Sequence, residues 1–224
     1  PEIITKYEKT IELFKNLIQR YPNTDQARAT IIRAAQIYET KLERYTDAID
    51  LYKKNSADKN CVEYINKLIN KHLTVKTERI YRSNETAKIN VATRNIETLK
   101  IKLFKFDLKS YFSKFYSAQK IDNLDLAIIE PDTQWIFNVA DYKKYKFYNF
   151  DIPIPLNFCG AAIIVVSDDE FEARTLLLKS DIDAILKISK TQALVYAQNM
   201  LTNSAQSNAE VLLTDGDNLL TIGK

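Results

Sequence analysis

The chain has 224 residues, of which 46% are apolar, 27% charged and 11% aromatic. That is a globular composition, long enough to bury a sizeable core, and it excludes a disordered tail. A net charge of +3, with Lys and Arg spread throughout, is too weak to argue for nucleic acid or an anionic membrane, and the longest pure apolar run, Ala161 to Val166, is far short of a membrane span.

The first element predicted is a helix with Tyr7, Ile11, Phe14, Leu17 and Ile18 on one face. Tyr21-Pro22-Asn23 ends it, because the residue before Pro disfavours the helical region. Thr24 or Asp25 can cap the next helix, which should run to about Leu42 with Ile31, Ala34, Ala35 and Tyr38 inward. A third begins at Tyr45, with Ala48, Ile49 and Tyr52 inward, and a fourth covers Asn60 to Lys71. "YEKTIELFKN" (7–16) and "YTDAIDLYKK" (45–54) match at Tyr, Ile, Leu and Lys with an offset of 38 residues. A helical pair repeating at this length predicts a stacked array. It resembles tetratricopeptide repeats, although the period is longer than their usual length of about 34. Such an array implies either a protein-binding groove, lined by Ile32, Gln36 and Glu39, or a spacer and docking platform.

Near His72 the period changes. "LTVKTERIYR" and "TLKIKLFKFDL" alternate apolar and polar residues, which predicts strands with one wet face. Further candidate strands are 87–95, 124–130, 134–142, 144–152, 161–168 and 173–182. Asp107 to Ser117 interrupts them: Asp107 can cap a short helix with Leu108, Tyr111, Phe112 and Phe115 on one side. Short strands at regular spacing predict an antiparallel β-sandwich over 73–182. After Asp181 the cycle restarts with 184–189, 192–199 and a terminal hairpin turning at Asp215-Gly216-Asp217-Asn218. These strands, 183–224, are too few to close a second sandwich. The chain also begins at Pro1 without Met. We therefore expect an α+β multidomain excerpt of a longer polypeptide, so the missing signal peptide does not place the protein in a compartment.

Three stretches carry a family resemblance: "VATRNIETLKIKLFKFDLKSYF", with Arg94-Asn95 ahead of an alternating strand; "IPIPLNFCGAAIIVVSDD"; and "TLLLKSDIDAILKISKTQALVYAQNMLTNSAQSNAEVLLTDGDNLLTIGK". Residues 73–224 resemble the macroglobulin-like domains of bacterial α2-macroglobulin family proteins. Ala161 to Ile163 replace an aromatic usual there, and Ser204 to Ser207 stand where Gly-Pro is usual. The resemblance implies a non-catalytic scaffold and interaction region of a protease-trapping protein in the periplasm or cell envelope, with trapped proteases as partners of the full-length protein. The alternative is an adaptor or structural subunit of an envelope assembly.

Chemistry is sparse. That family's reactive element is a Cys-Gly-Glu-Gln thioester. Cys159-Gly160 begins like it, but Ala161-Ala162 follow and no thioester can form. Cys159 is expected to be buried. Two buried thiols or one Cys61–Cys159 disulfide both fit the count. Cys61 and His72 lie about 16 Å apart on a helical rise, beyond nucleophile–base reach. One His and two distant Cys cannot supply a zinc site. Asp168 to Glu170 and "LLTDGDN" read as turns and not calcium loops. "YKKYKFYNF" interleaves bases and aromatics, but reads as a strand and not a nucleic-acid platform. No enzyme constellation, cofactor or metal site is expected.

Overall fold

The computed structural model describes residues 2–22, 24–117, 121, 124–126 and 128–223. Contacts divide the chain into two units. One holds 1–72, 93–97 and 140–148; the other holds 73–92, 98–139 and 149–224.

In the first unit four helices follow the predicted faces: α1 (Glu2–Arg20), α2 (Asp25–Thr40), α3 (Tyr45–Lys53) and α4 (Lys59–Ile69). Thr24 caps α2, its side chain accepting from Ala27 N at 3.1 Å. Asp58 caps α4 by accepting from Asn60 N at 2.8 Å. Ile11, Ile31, Ala34, Ala35, Tyr38, Ala48, Ile49, Leu51, Tyr52, Cys61 and Leu68 form one buried cluster. The Ala pair on α2 and Ala48 on α3 leave room for the helices to approach closely. Asn23, in the predicted helix stop, lies outside the described residues.

The second unit holds most of the β-structure. β1 (His72–Lys76), β2 (Lys88–Arg94) and β5 (Phe147–Pro153) form a sheet in the order β1-β2-β5. β3 (Thr98–Phe106), β4 (Thr133–Asn138), β6 (Gly160–Ser167) and β7 (Glu172–Lys179) form an antiparallel sheet in the order β4-β3-β6-β7. Register pairs Leu103 with Ile164 and Ile101 with Val166, so these residues share a face; Phe104 pairs with Ile163 on the other. Ala161 to Val166 are all buried, which explains why β6 reads as a continuous apolar run without alternation. The face carrying Phe104, Ile163 and Val165 is covered by Ile121, Leu108, Tyr111, Leu124 and Leu126. Leu108 and Tyr111 belong to α5 (Leu108–Phe115), capped as expected: the Asp107 side chain accepts from Ser110 N at 3.0 Å.

One candidate strand fails, and the candidate over 144–152 forms only from Phe147. Residues 124–130 contain no strand among those described, and Ala127 lies outside them. Leu124 N donates to Ile121 O and Ile129 N to Leu126 O, so the segment turns on itself. Leu124 and Leu126 drop onto the sheet while Ile128 is left 91% exposed. Lys144 to Lys146 precede β5, and Tyr145 takes φ +72°, which ends any strand there.

The later strands are β8 (Ile182–Ile188), β9 (Ala193–Asn199) and the short β10 (Ser204–Ala205), in the order β10-β9-β8, followed by the hairpin β11 (Val211–Thr214) and β12 (Leu219–Gly223). In the hairpin turn Asp215 Oδ1 accepts from Asp217 N and Asn218 N, and Gly216 supplies φ +103°. The hairpin does not stand alone. Thr214 Oγ1 donates to Tyr116 O at 2.8 Å, and Lys109 pairs with Glu210 at 2.7 Å.

Candidate functional site

The three residues predicted to line a groove lie on one side of α2, since positions 32, 36 and 39 are spaced i, i+4, i+7. Ile32 is half-buried against the helical core, and Gln36 is exposed. Glu39 is half-buried and accepts from the Tyr52 hydroxyl at 3.3 Å. Burial first, and the Glu39 carboxylate second, push the Tyr52 phenol above its ordinary range. Glu39 is therefore engaged with α3, and Gln36 is the member of the group that faces solvent.

The densest polar construction in the helical unit is elsewhere, at the C-terminus of α4. A helix leaves its last carbonyls without intrahelical partners. Here Arg94 Nη1 donates to Lys67 O, and Asn95 Nδ2 donates to Leu68 O at 2.7 Å and Asn70 O at 3.0 Å. Asn95 Oδ1 accepts from Tyr145 N at 2.7 Å. One side chain thus fixes the helix end and the turn over 140–148. It does so from φ +59°, a left-handed conformation that Asn tolerates better than most residues. The same turn is tethered a second time: Lys146 and Lys143 pair with Glu43 at 2.8 and 3.3 Å. Their hydrogen bonds hold the Glu43 carboxyl below its ordinary value.

Beside this clamp lies a cleft of about 550 Å³, lined among others by Glu63, Lys67, Lys71, His72, Arg94 and Phe147. The Phe147 ring is flanked by His72, with centroids 5.8 Å apart, and by the Arg94 guanidinium at 5.3 Å. In the sequence, Arg94-Asn95 stands out only through a resemblance, and His72 only as a residue too far from Cys61 to serve as its base. The available local signal was Asn95 before Ile96, a turn-forming residue between two strands. That it grips α4 depends on contacts some 25 residues away in the chain.

The cysteines separate. Cys61 is fully buried, accepts from Asn55 Nδ2 at 3.6 Å, and has its thiol pushed up by burial. Cys159 is exposed, correcting the expected burial; its Sγ lies 4.0 Å from Asp181 Oδ2. Cys159 lies in a bend just ahead of β6, whose buried run begins only at Ala161, which leaves it outside the core. Both thiols are free. Asp168 Oδ1 accepts from Glu170 N and Phe171 N, closing a turn. No group of three or more His, Cys, Asp or Glu is placed to hold a metal among the described residues. No described helix is long and apolar enough to cross a membrane.

No protein-family profile matches the chain, and no curated protein does. Solved structures do. A crystal structure of native α2-macroglobulin from Escherichia coli spanning domains MG0-NIE-MG1 aligns over 67% of this chain and 53% of that one, with TM-score 0.51 and 16% identity. A second, spanning NIE-MG1, aligns over 69% of this chain and 83% of that one, with TM-score 0.47 and 14% identity. The chain thus spans about half the length of the larger fragment. Over the aligned share, it carries the fold of that fragment of bacterial α2-macroglobulin, in line with the resemblance read from residues 73–224.

Proposed function

We propose that the chain is a non-catalytic scaffold and interaction region of a bacterial α2-macroglobulin-type protein that traps proteases in the periplasm or cell envelope. The observation that carries this reading is the fold likeness to the Escherichia coli protein, which falls on a chain whose later part already resembles macroglobulin-like domains. In this reading 1–72 are tetratricopeptide-like repeats, 73–182 a macroglobulin-like sandwich, and 183–224 the start of a second such domain. Two facts support a sandwich. The four-stranded sheet buries Leu99, Ile101, Leu103, Ile164 and Val166 along one face, and the three-stranded sheet buries Ile89, Val91 and Ile152. A scaffold of this kind resists deformation because its apolar faces are packed, and so can transmit a rearrangement that begins elsewhere in the protein. Ile32, Gln36 and Glu39 form the proposed protein-binding face of the repeats.

The test is a substrate-size assay on the full-length protein. After incubation with an endopeptidase, cleavage of a small chromogenic peptide should persist while cleavage of a large protein substrate falls. Equal retention of both activities overturns the trapping role.

A further inference from the structure

Buried charge is ordinarily paired, because an ion taken out of water loses its hydration. Arg94 departs from this. It is only 9% exposed, yet its polar contacts are one backbone carbonyl, Lys67 O, and the face of the Phe147 ring. Its Nε is buried without a hydrogen-bond partner, and no carboxylate pairs with it among the described residues. Lys67, on the same cleft wall, likewise has no ion pair among the described residues, and His72 contributes its ring beside Phe147. Against these cations the lining offers one acid, Glu63. The helix end accounts for part of the charge, since a C-terminus favours cations, but its partial charge is about half a unit and three of its free carbonyls are already held by Arg94 and Asn95.

We propose that this cleft docks an acidic peptide segment of a partner protein. A carboxylate of the segment would answer Lys67 and Arg94, and an adjacent apolar side chain would lie against Phe147, which is 45% exposed. The cleft's volume is within the range of ordinary ligand sites and admits two or three side chains. Its concavity and apolar wall argue against a flat anionic membrane. A nucleic-acid strand needs a track of cations following its backbone, and Glu63 interrupts the one here. The inference does not rest on protease trapping and fails or stands separately from it.

The experiment is calorimetric titration of the whole chain with a blocked hexapeptide alternating glutamate and leucine. Its lysine–leucine counterpart and inorganic phosphate serve as comparison titrants. The acidic peptide should bind, more weakly as salt rises, while the basic one does not. Lys67→Glu, at an exposed position, should weaken binding about tenfold or more. His72→Glu should do the same, and Lys9→Glu, on α1, should leave affinity unchanged. Circular dichroism confirms that each variant is folded. Absence of acidic-peptide binding, binding that ignores both Lys67→Glu and His72→Glu, or binding of phosphate alone overturns the proposal.

Discussion

Two sheets of the β-rich unit have similar strand sequences and opposite fates. At the centre of β4-β3-β6-β7, in β3 and β6, the apolar residues are buried: Leu99, Ile101, Ile164 and Val166 have essentially no exposed surface. In β10-β9-β8 they are not: Ile185, Ile188 and Leu194 are 63%, 67% and 66% exposed. The second sheet is joined to the strands before it by polar groups. Arg82 pairs with Asp183 and donates to Ser180 O, while Asp181 accepts from Ser83 N through its side chain and from Met200 N through its carbonyl. One sheet is held by burial and the other by directional tethers. Apolar strand composition therefore reports strand formation but not what covers the strand.

The largest test of this contrast is a pair of truncations. Ile164→Ala should cost about 2–5 kcal/mol in chemical denaturation, because it opens a cavity in a packed core. Ile185→Ala should change stability by less than about 0.5 kcal/mol. Equal costs would mean that β8 is covered in solution. Amide exchange should show the same order, with β8 and β9 opening at lower free energy than β3 and β6.

A polar hub can approach core-like importance when it satisfies several buried groups at once. Asn95→Ala removes three hydrogen bonds and puts at φ +59° a residue that tolerates the left-handed region less well than Asn, so a loss of about 2–4 kcal/mol is expected. Asn95→Gly relieves the backbone strain and should recover about 1 kcal/mol of it. If the two variants are equally unstable, the conformation contributes nothing. A single cap should matter less: Thr24→Ala loses the bond to Ala27 N, and unfolding should show a cost of about 1 kcal/mol.

The smallest effect is a pH dependence of the tethered sheet. Hydrogen bonds from the Arg79 guanidinium, and then from Arg82 N, lower the Glu85 carboxyl from 4.5 to about 2. A folded-state value below the unfolded one stabilises the fold above about pH 4.5, and that contribution is lost as pH falls toward 2. Glu85→Gln should flatten the stability profile in this window. An unchanged acid limb would mean that Glu85 does not brace Arg82 and, through it, Asp183.

Much of the local structure was legible because it depends on neighbours in sequence. The inward faces of α1 to α3, the Thr24 and Asp107 caps, the strands β2, β3, β6, β7 and β9, and the Asp215 turn follow from spacing and side-chain chemistry within a few residues. The failures lie where a distant surface decides. Residues 124–130 alternate like a strand, but the sheet they cover draws Leu124 and Leu126 inward and leaves them no ladder to join. Cys159 reads as a small core residue, but it lies in the bend ahead of β6 and is exposed. Gln36 and Glu39 look alike on the helix, until Tyr52 engages one of them.

The sequence by itself determined where most helices and strands form and which face of each is apolar, since periodicity and capping act over one or two turns. Only the tertiary structure decided which apolar faces are covered, which carbonyls of α4 are capped, and where a buried arginine meets an aromatic ring. Those outcomes depend on groups brought together from distant parts of the chain, whose attraction and desolvation have no value until the fold places them in contact.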